Sequence, residues 1–170
     1  DFRQSQFNRA FYAVRQTGSS FKPIVFTAAL QKGISFDTVM VDEPFELEMD
    51  GGGVWKPKNW TRRFDGAMTL ARALSYSNNI ITVKTFLETG AEQVINLAKR
   101  FGYHRELYPY PSLSLGTAEA TVEENVAAFN VFANNGKRIQ PFMVEWVKDE
   151  LGSKIWEHEP EEFRVLDSKT

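Results

Sequence analysis

The chain has 170 residues, a mass of 19.4 kDa and a formal net charge of −2, and 42% of its residues are apolar. This length fits one domain, or part of a larger one, with a sizeable core. The near-neutral charge argues against a nucleic-acid binder, and no run of about eighteen apolar residues could span a membrane. No signal peptide is visible in the polar start. Because cysteine is absent and only two histidines occur, chemistry must mostly use Ser, Lys, Asn, Asp or Glu.

The first third of the chain predicts a strand, a buried helix and a region of short strands. Residues 1–14 mix polar and aromatic side chains and predict a strand that enters a turn at Gln16–Gly18. The segment Ser19–Gly33 predicts a helix that is capped by Ser19 and carries Pro23 in its first turn, where proline is tolerated. This helix is apolar almost all round, which predicts a central position. Residues 34–66 predict irregular structure with short strands.

The remainder predicts helices followed by a hairpin. Within residues 67–103 three helical segments are predicted: 68–76, 78–88 and 91–101. A further helix is predicted over Thr121–Asn134, because Thr121 and Glu124 form a capping-box pattern. Two hairpin strands are predicted at 141–148 and 154–157, and no clear element in the last stretch, 157–170. The order predicts an α+β fold, with a helix cluster packed on an antiparallel sheet.

Ser19 and Lys22 are the candidate nucleophile and base. Their spacing of three residues puts both side chains on one face of a helix. With no usable histidine, an unprotonated lysine is the alternative base, provided that burial or positive charge lowers its pKa from about 10.4. On spacing alone, a helix cap and a solvated first-turn lysine explain the same two residues. Taken singly, this pair and Ser77-Asn78-Asn79 are weak signals.

Four longer stretches of sequence are more specific indicators of a protein family than these short motifs. They are residues 7–23, 68–79, 115–121 and 132–136. In this order they resemble the transpeptidase domain of class A penicillin-binding proteins, which are bifunctional peptidoglycan synthases. The resemblance runs essentially end to end. It implies a β-lactamase/transpeptidase-like fold and a peptidoglycan D,D-transpeptidase that acts through a serine acyl-enzyme and is acylated by β-lactams.

The resemblance also implies a role for each site residue. Ser19 would be the acyl-enzyme nucleophile and Lys22 its general base. Ser77 would pass protons between Lys22 and the leaving or incoming amine, and Asn79 would hydrogen-bond Lys22 and the substrate amide. The backbone N–H of Ser19 would contribute to the oxyanion hole. No cofactor and no metal ion is expected.

The family's third motif, Lys-Thr-Gly, is not found in the chain. The terminal Lys169-Thr170 is not taken as its start, because residues 164–168 resemble the linker well before that motif. We therefore expect residues 1–170 to be a partial penicillin-binding transpeptidase domain, with little or no activity alone. The implied partners are peptidoglycan stem peptides, β-lactams and other wall-synthesis proteins, and no nucleic acid. The implied location is the extracytoplasmic face of the bacterial membrane (the periplasm), with the membrane anchor outside this chain.

Alternative functions stay open at this stage. The same fold serves a D,D-carboxypeptidase or a serine β-lactamase, and a non-catalytic scaffold of wall synthesis would keep the fold without the reaction. Glu92–Asn96 mimics the segment that carries the deacylating glutamate of a serine β-lactamase, but its regular helical pattern favours a structural role. Asn59-Trp60-Thr61 matches a glycosylation sequon, which is irrelevant in a bacterial wall enzyme.

Overall fold

A computed structural model describes residues 3–49 and 51–167 of the chain. The helices are α1 (Arg9–Tyr12), α2 (Lys22–Gln31), α3 (Leu70–Ser75), α4 (Asn79–Thr89), α5 (Ala91–Phe101) and α6 (Val122–Ala133), with 3₁₀ helices at Gly18–Phe21 and Pro111–Leu115. The strands are β1 (Arg15–Gln16), β2 (Val39–Asp42), β3 (Leu47–Met49), β4 (Gly53–Trp55), β5 (Gly66–Thr69), β6 (Glu119–Ala120), β7 (Lys137–Ile139), β8 (Trp146–Lys148), β9 (Lys154–Glu157) and β10 (Glu162–Arg164). No helix in these ranges is long and apolar enough to cross a membrane.

Helix α2 is the centre of the fold, as its apolar sequence predicts. Ile24, Val25 and Phe26 are at most 1% exposed, and the helix packs against α4 and α5. Burial of each such side chain contributes about 1.5–3 kcal/mol, before the chain entropy is subtracted. Pro23 lies at the start of the helix, where no intrahelical N–H is lost. The core around α2 therefore fixes the position of the residues at its N-terminus.

The strands pair as antiparallel two-stranded ladders, and two of these ladders bear on the position of the site: one precedes the start of α2, and one ends at Asp42. In one, β1 pairs with β6, so that Arg15 faces Ala120. In the other, β2 pairs with β5, so that Asp42 faces Gly66. The remaining ladders are β3 with β4, β7 with β10, and β8 with β9. Helices on antiparallel strands confirm the predicted α+β class.

Three local predictions for the second half of the chain agree with the structure. Thr121 and Glu124 make the predicted capping box, in which the Thr121 hydroxyl accepts the Glu124 N–H at 3.1 Å and the Glu124 carboxylate accepts the Thr121 N–H at 2.7 Å. Helix α5 coincides with the predicted segment 91–101. Strands β8 and β9 form the predicted hairpin, although β8 begins only at Trp146.

The N-terminal strand prediction is wrong. Residues 9–12 form helix α1, and only Arg15 and Gln16 are extended in a ladder. The helix starts there because the Asn8 side chain accepts the Ala10 N–H at 3.1 Å and so caps a free backbone donor. The mixture of aromatic and polar side chains that predicted a strand reflects partial exposure of this short helix.

Two boundaries also differ from the prediction. Met68 lies in β5 rather than in a helix, because pairing with β2 continues to Thr69, which then caps α3. The last stretch does contain an element: β10 pairs with β7, and Val165 and Leu166 behind it are 1% and 5% exposed. A local reading misses this pairing because its partner lies some 25 residues earlier in the chain. Lys169 and Thr170 lie outside the described residues.

Candidate active site

Ser19 lies in the 3₁₀ turn Gly18–Phe21, which runs directly into α2. The prediction that Ser19 caps this helix is wrong: Thr17 is the N-cap of the turn, and no side chain makes a capping hydrogen bond. Ser19 is solvent-exposed, and its hydroxyl forms no hydrogen bond with any residue that the structure describes. The Lys22 N–H donates to the Ser19 carbonyl, which keeps the two residues one turn apart. The Ser19 hydroxyl is thus accessible from solvent.

The turn that carries Ser19 is held by residues about a hundred positions further along the chain. The Thr17 N–H donates to the Ala118 carbonyl at 2.8 Å, and the Gly18 N–H donates to the Gly116 carbonyl at 2.9 Å. Gly116 has a φ of +83°, and a Cβ at this position would lie 1.8 Å from the Gly18 carbonyl oxygen. Only glycine permits this close approach, so the backbone of Gly116 packs directly against the backbone of the turn at Gly18.

Lys22 is a buried lysine, so its interpretation as a solvated first-turn lysine is wrong. Its side chain is 1% exposed. Its ammonium nitrogen lies 2.6 Å from the Ser77 carbonyl oxygen, 3.0 Å from Ser77 Oγ and 2.6 Å from Asn79 Oδ1. Burial lowers the pKa of Lys22 from 10.5 to about 8, because desolvation penalises the charged form. The structure thus brings together three of the four predicted site residues around one nitrogen and puts Ser19 one turn away.

Ser77 has a backbone conformation that residues with a side chain rarely adopt. Its φ is +53°, in the left-handed region. The Asn78 N–H donates to the Ala73 carbonyl at 2.8 Å and the Ser77 N–H to the Leu74 carbonyl at 3.0 Å. These two bonds define a Schellman motif at the end of α3, in which glycine normally occupies the position of Ser77. Because serine is strained at a position that favours glycine, its presence there indicates a functional role for the hydroxyl group.

Asn79 is the first residue of α4, and its amide has a fixed orientation. Its Nδ2 group donates to the Lys58 carbonyl at 2.7 Å. Because the nitrogen end of the amide is bound there, the oxygen end faces Lys22. Asn79 therefore offers Lys22 an acceptor that cannot donate.

A buried polar cluster that the sequence pattern does not predict lies beside this site and is formed by Asp42, Asn59 and Asn78. All three are less than 8% exposed. Asn59 stands out in the sequence only as part of a sequon, yet its side chain is 7% exposed and its amide is bound inside the domain. Nothing local in the sequence marks these residues, because their partners lie 17 to 36 positions away.

The Glu92–Asn96 segment lies in a regular part of α5. Val94 is fully buried in the core, whereas Glu92 is exposed. The side-chain groups that surround the Lys22 nitrogen come from Ser77 and Asn79, not from this segment. This arrangement agrees with the predicted structural role of Glu92–Asn96.

The family described as the penicillin binding protein transpeptidase domain matches residues 1–170, and the chain belongs to this family. Penicillin-binding protein 1A of Haemophilus influenzae is 36% identical over 156 residues, which are 91% of this chain and 18% of that protein. Its 2.6 Å crystal structure matches with a TM-score of 0.89 and 35% identity, over 95% of this chain and 24% of that chain. The resemblance seen in the sequence is confirmed, and the chain spans about a fifth of the length of the curated relatives it matches.

The same fold occurs in a more distant protein. Penicillin-binding protein A from Mycobacterium tuberculosis, solved as an imipenem acyl-enzyme complex, matches with a TM-score of 0.81 and 20% identity. The match covers 96% of this chain and 42% of that chain. At this identity the comparison confirms the transpeptidase fold.

Proposed function

We propose that residues 1–170 are part of a D,D-transpeptidase domain that cross-links peptidoglycan stem peptides through an acyl-enzyme on Ser19. The observation that carries this proposal is the buried Lys22 nitrogen, which is bound by Ser77 and Asn79, on a residue one helical turn along the backbone from the exposed Ser19. Acyl transfer requires a nucleophile, a base, a proton relay and an anchor for the amide, and these side chains supply one of each.

The first half of the reaction forms an ester and releases an amine. Ser19 Oγ attacks the carbonyl carbon of the donor peptide bond while its proton passes to neutral Lys22. The backbone N–H of Ser19, at the free end of its 3₁₀ turn, donates to the oxygen that becomes negative. When the C–N bond breaks, Ser77 relays the proton from Lys22 to the departing nitrogen. In the second half, the amine of another stem peptide attacks the ester carbonyl carbon and gives its proton through Ser77 to Lys22. The ester C–O bond breaks, Ser19 Oγ takes the proton from Lys22, and a new amide bond is left between the two stem peptides.

The contacts of Lys22 favour Ser77 as this relay. A charged lysine donates three hydrogen bonds, whereas a neutral lysine donates two and has one lone pair. The Ser77 carbonyl and Asn79 Oδ1 are acceptors only, so they take the two remaining N–H groups. Once Lys22 has taken the Ser19 proton, its third N–H group faces Ser77 Oγ at 3.0 Å. Proton exchange between Lys22 and Ser77 therefore needs no rearrangement.

The proposal extends to partners and location. β-Lactams acylate Ser19 because they present an amide that the same groups attack; an acyl-enzyme of a relative with this fold supports this step. Other wall-synthesis proteins are further partners of the intact protein. The domain works at the extracytoplasmic face of the bacterial membrane, in the periplasm, where stem peptides occur, and it needs no cofactor.

Mapping a penicillin adduct tests this function. The intact protein is incubated with a fluorescent penicillin, digested and analysed by mass spectrometry; we expect one labelled peptide, which contains Ser19, and a long-lived adduct. An adduct on a different residue would contradict the site. Rapid release of hydrolysed β-lactam would favour a β-lactamase, and a protein that does not label at all would favour a scaffold.

A pair of substitutions at Ser77 separates its chemistry from its backbone strain. Ser77→Ala and Ser77→Gly both remove the hydroxyl, and both should slow acylation by about 100-fold, as expected for loss of a proton-transfer group. Only glycine relieves the left-handed conformation, so Ser77→Gly should be more stable than Ser77→Ala by about 0.5–1 kcal/mol. Thermal unfolding and acylation rates measure the two effects, and a Ser77→Gly protein with the wild-type rate would exclude the relay.

A further inference from the structure

The buried cluster beside the active site is organised around Asp42. Its carboxylate accepts the Asn59 Nδ2 group at 2.9 Å on both oxygens, the Asn78 Nδ2 group at 2.8 Å and the Asp65 N–H at 2.9 Å. Asp42 is 1% exposed, and no ion pair reaches it within residues 3–49 and 51–167. Burial of a carboxyl group is unfavourable unless its oxygens are hydrogen-bonded. Here two side-chain amides and one backbone N–H provide this compensation.

Asp42 dictates which way the two amides point. A carboxylate only accepts hydrogen bonds, so Asn59 and Asn78 both turn their nitrogen ends toward it. Their oxygen ends then face the first turn of α4. Asn59 Oδ1 accepts the N–H groups of Asn79 at 2.9 Å and Ile80 at 3.4 Å, and Asn78 Oδ1 accepts the N–H of residue 81 at 2.9 Å. The first three N–H groups of α4, which have no partner within the helix, are thus all capped.

These caps also determine where the partners of Lys22 lie. The Ser77 carbonyl, Ser77 Oγ and Asn79 Oδ1 all belong to the three residues at the junction of α3 and α4. The backbone of Asn79 is bound by Asn59, and its side chain is bound by the neighbouring Lys58 carbonyl. A shift of this junction would therefore displace every hydrogen-bond partner of the Lys22 nitrogen at once.

We propose that Asp42 is a positioning residue for acylation: through the amides of Asn59 and Asn78 it holds the Ser77–Asn79 junction against Lys22. The inference rests on the proposed function for its kinetic consequence. Asp42 itself touches neither Lys22 nor the reacting atoms, and its effect passes through the cap of α4. A displacement of about 1 Å in such a site lowers a rate by about 100-fold.

The variant Asp42→Asn tests this role with little change of shape. Oδ2 of Asp42 receives three donors and Oδ1 only one, so the new NH₂ group takes the Oδ1 position, opposite the Asn59 nitrogen. Two donors then oppose each other at the former Oδ1 position, although the Asn59 Nδ2 group keeps its acceptors at Oδ2 and at the Arg63 carbonyl. The repulsion shifts the Asn59 side chain and, with it, the cap of α4. We expect the acylation rate constant of the intact protein to fall about 10- to 100-fold, with unchanged affinity for the unreacted β-lactam.

Rate and amplitude distinguish positioning from loss of fold. If Asp42 only stabilises the domain, fewer molecules of the variant label, but those that do label react at the wild-type rate constant. Positioning predicts the reverse: complete labelling at a lower rate constant. A wild-type rate constant in Asp42→Asn would overturn the proposal, whatever its amplitude. Asp65→Asn is the matched control, since Asp65 is exposed and contacts Asp42 only through its backbone; it should react within about twofold of wild type.

A milder variant keeps the test decisive if Asp42→Asn does not fold. Asn78→Ser retains a good helix cap and removes only the bond to Asp42. We expect a smaller loss of rate, roughly 3- to 10-fold. In either variant, amide hydrogen exchange should become faster in the peptide 77–82 and stay unchanged in α5; unchanged exchange in 77–82 would overturn the positioning role. This readout does not depend on β-lactam chemistry, so it distinguishes failure of this proposal from failure of the proposed function.

Discussion

Replacement of Ser19 with alanine should abolish labelling by a fluorescent penicillin and cross-linking of stem peptides, with a loss of at least about 1,000-fold. The reason is chemical, because the substitution removes the only atom that forms the ester. The Ser19 hydroxyl is exposed and forms no hydrogen bond in the described part of the chain, so stability should change by less than about 0.5 kcal/mol. Gel fluorescence, intact-protein mass and thermal unfolding measure these outcomes.

The neighbouring Ser20 provides the matched control. Its hydroxyl donates to the Thr17 carbonyl at 2.8 Å and accepts from Asn125 at 3.4 Å, so it points into the fold. Ser20→Ala should still label to completion, with the adduct on Ser19. If Ser19→Ala labelled fully, or if Ser20→Ala failed to label while folded, Ser19 would not be the nucleophile.

Lys22 carries the second large effect. Lys22→Met should lower the acylation rate constant by about 10²- to 10⁴-fold, the range expected for a general base. Lys22→Arg should be almost as slow, although it keeps a positive charge and hydrogen-bond donors, because a guanidinium is not deprotonated in proteins. A Lys22→Arg protein that reacts at the wild-type rate would show that the charge, and not the base, is what matters.

Lys32, at the other end of α2, is the control for this substitution. Its ammonium group donates to the Glu88 and Thr89 carbonyls, far along the helix from Ser19. Lys32→Met removes a lysine with comparable hydrogen bonds and should leave the acylation rate constant within about twofold of wild type. Rate constants, rather than labelled fractions, are the quantity to compare.

The lowered pKa of Lys22 predicts a specific pH profile. Because only the neutral amine accepts the Ser19 proton, the acylation rate should rise with pH and level off above a midpoint of about 8. At pH 7 about a tenth of Lys22 is neutral, and at pH 6 about a hundredth. The folded domain also binds fewer protons than the unfolded chain between pH 8 and 10.5, so this group's unfavourable contribution to stability is complete below pH 8 and disappears as the pH rises to 10.5. A flat profile from pH 6 to 9 would contradict a lysine base.

The local features of the candidate site could be predicted from the sequence, whereas its assembly could not. The spacing of Ser19 and Lys22, the apolar helix that buries Lys22 and the capping box of α6 depend on residues within one or two turns of each other. The contacts of Lys22 with Ser77 and Asn79 join positions 55 and 57 residues apart, and only a family resemblance indicated them.

Three features of the structure could not be predicted from the sequence, each for a physical reason. The roles of Asp42, at the end of β2, and of Asn59, in a loop, depend on long-range hydrogen bonds, whereas Asp and Asn side chains are ordinarily exposed to solvent. The left-handed conformation of Ser77 runs against residue preference, because glycine is usual at that position. Strand β10 has a long-range partner, and neither short strand carries a distinctive pattern of its own.

The hydrogen bond from the Gly18 N–H to the Gly116 carbonyl has a consequence for how the protein is synthesised. A ribosome releases the chain from its amino end, so Ser19 emerges about a hundred residues before the glycine and the strand that hold its turn. At about 5–20 residues per second, that interval lasts roughly 5 to 20 s. During this time the serine exists as an ordinary exposed hydroxyl. The turn that carries this serine is therefore fixed late in synthesis, when the distant segment reaches it, and a chain interrupted before Gly116 lacks the backbone contacts that hold the proposed nucleophile in position.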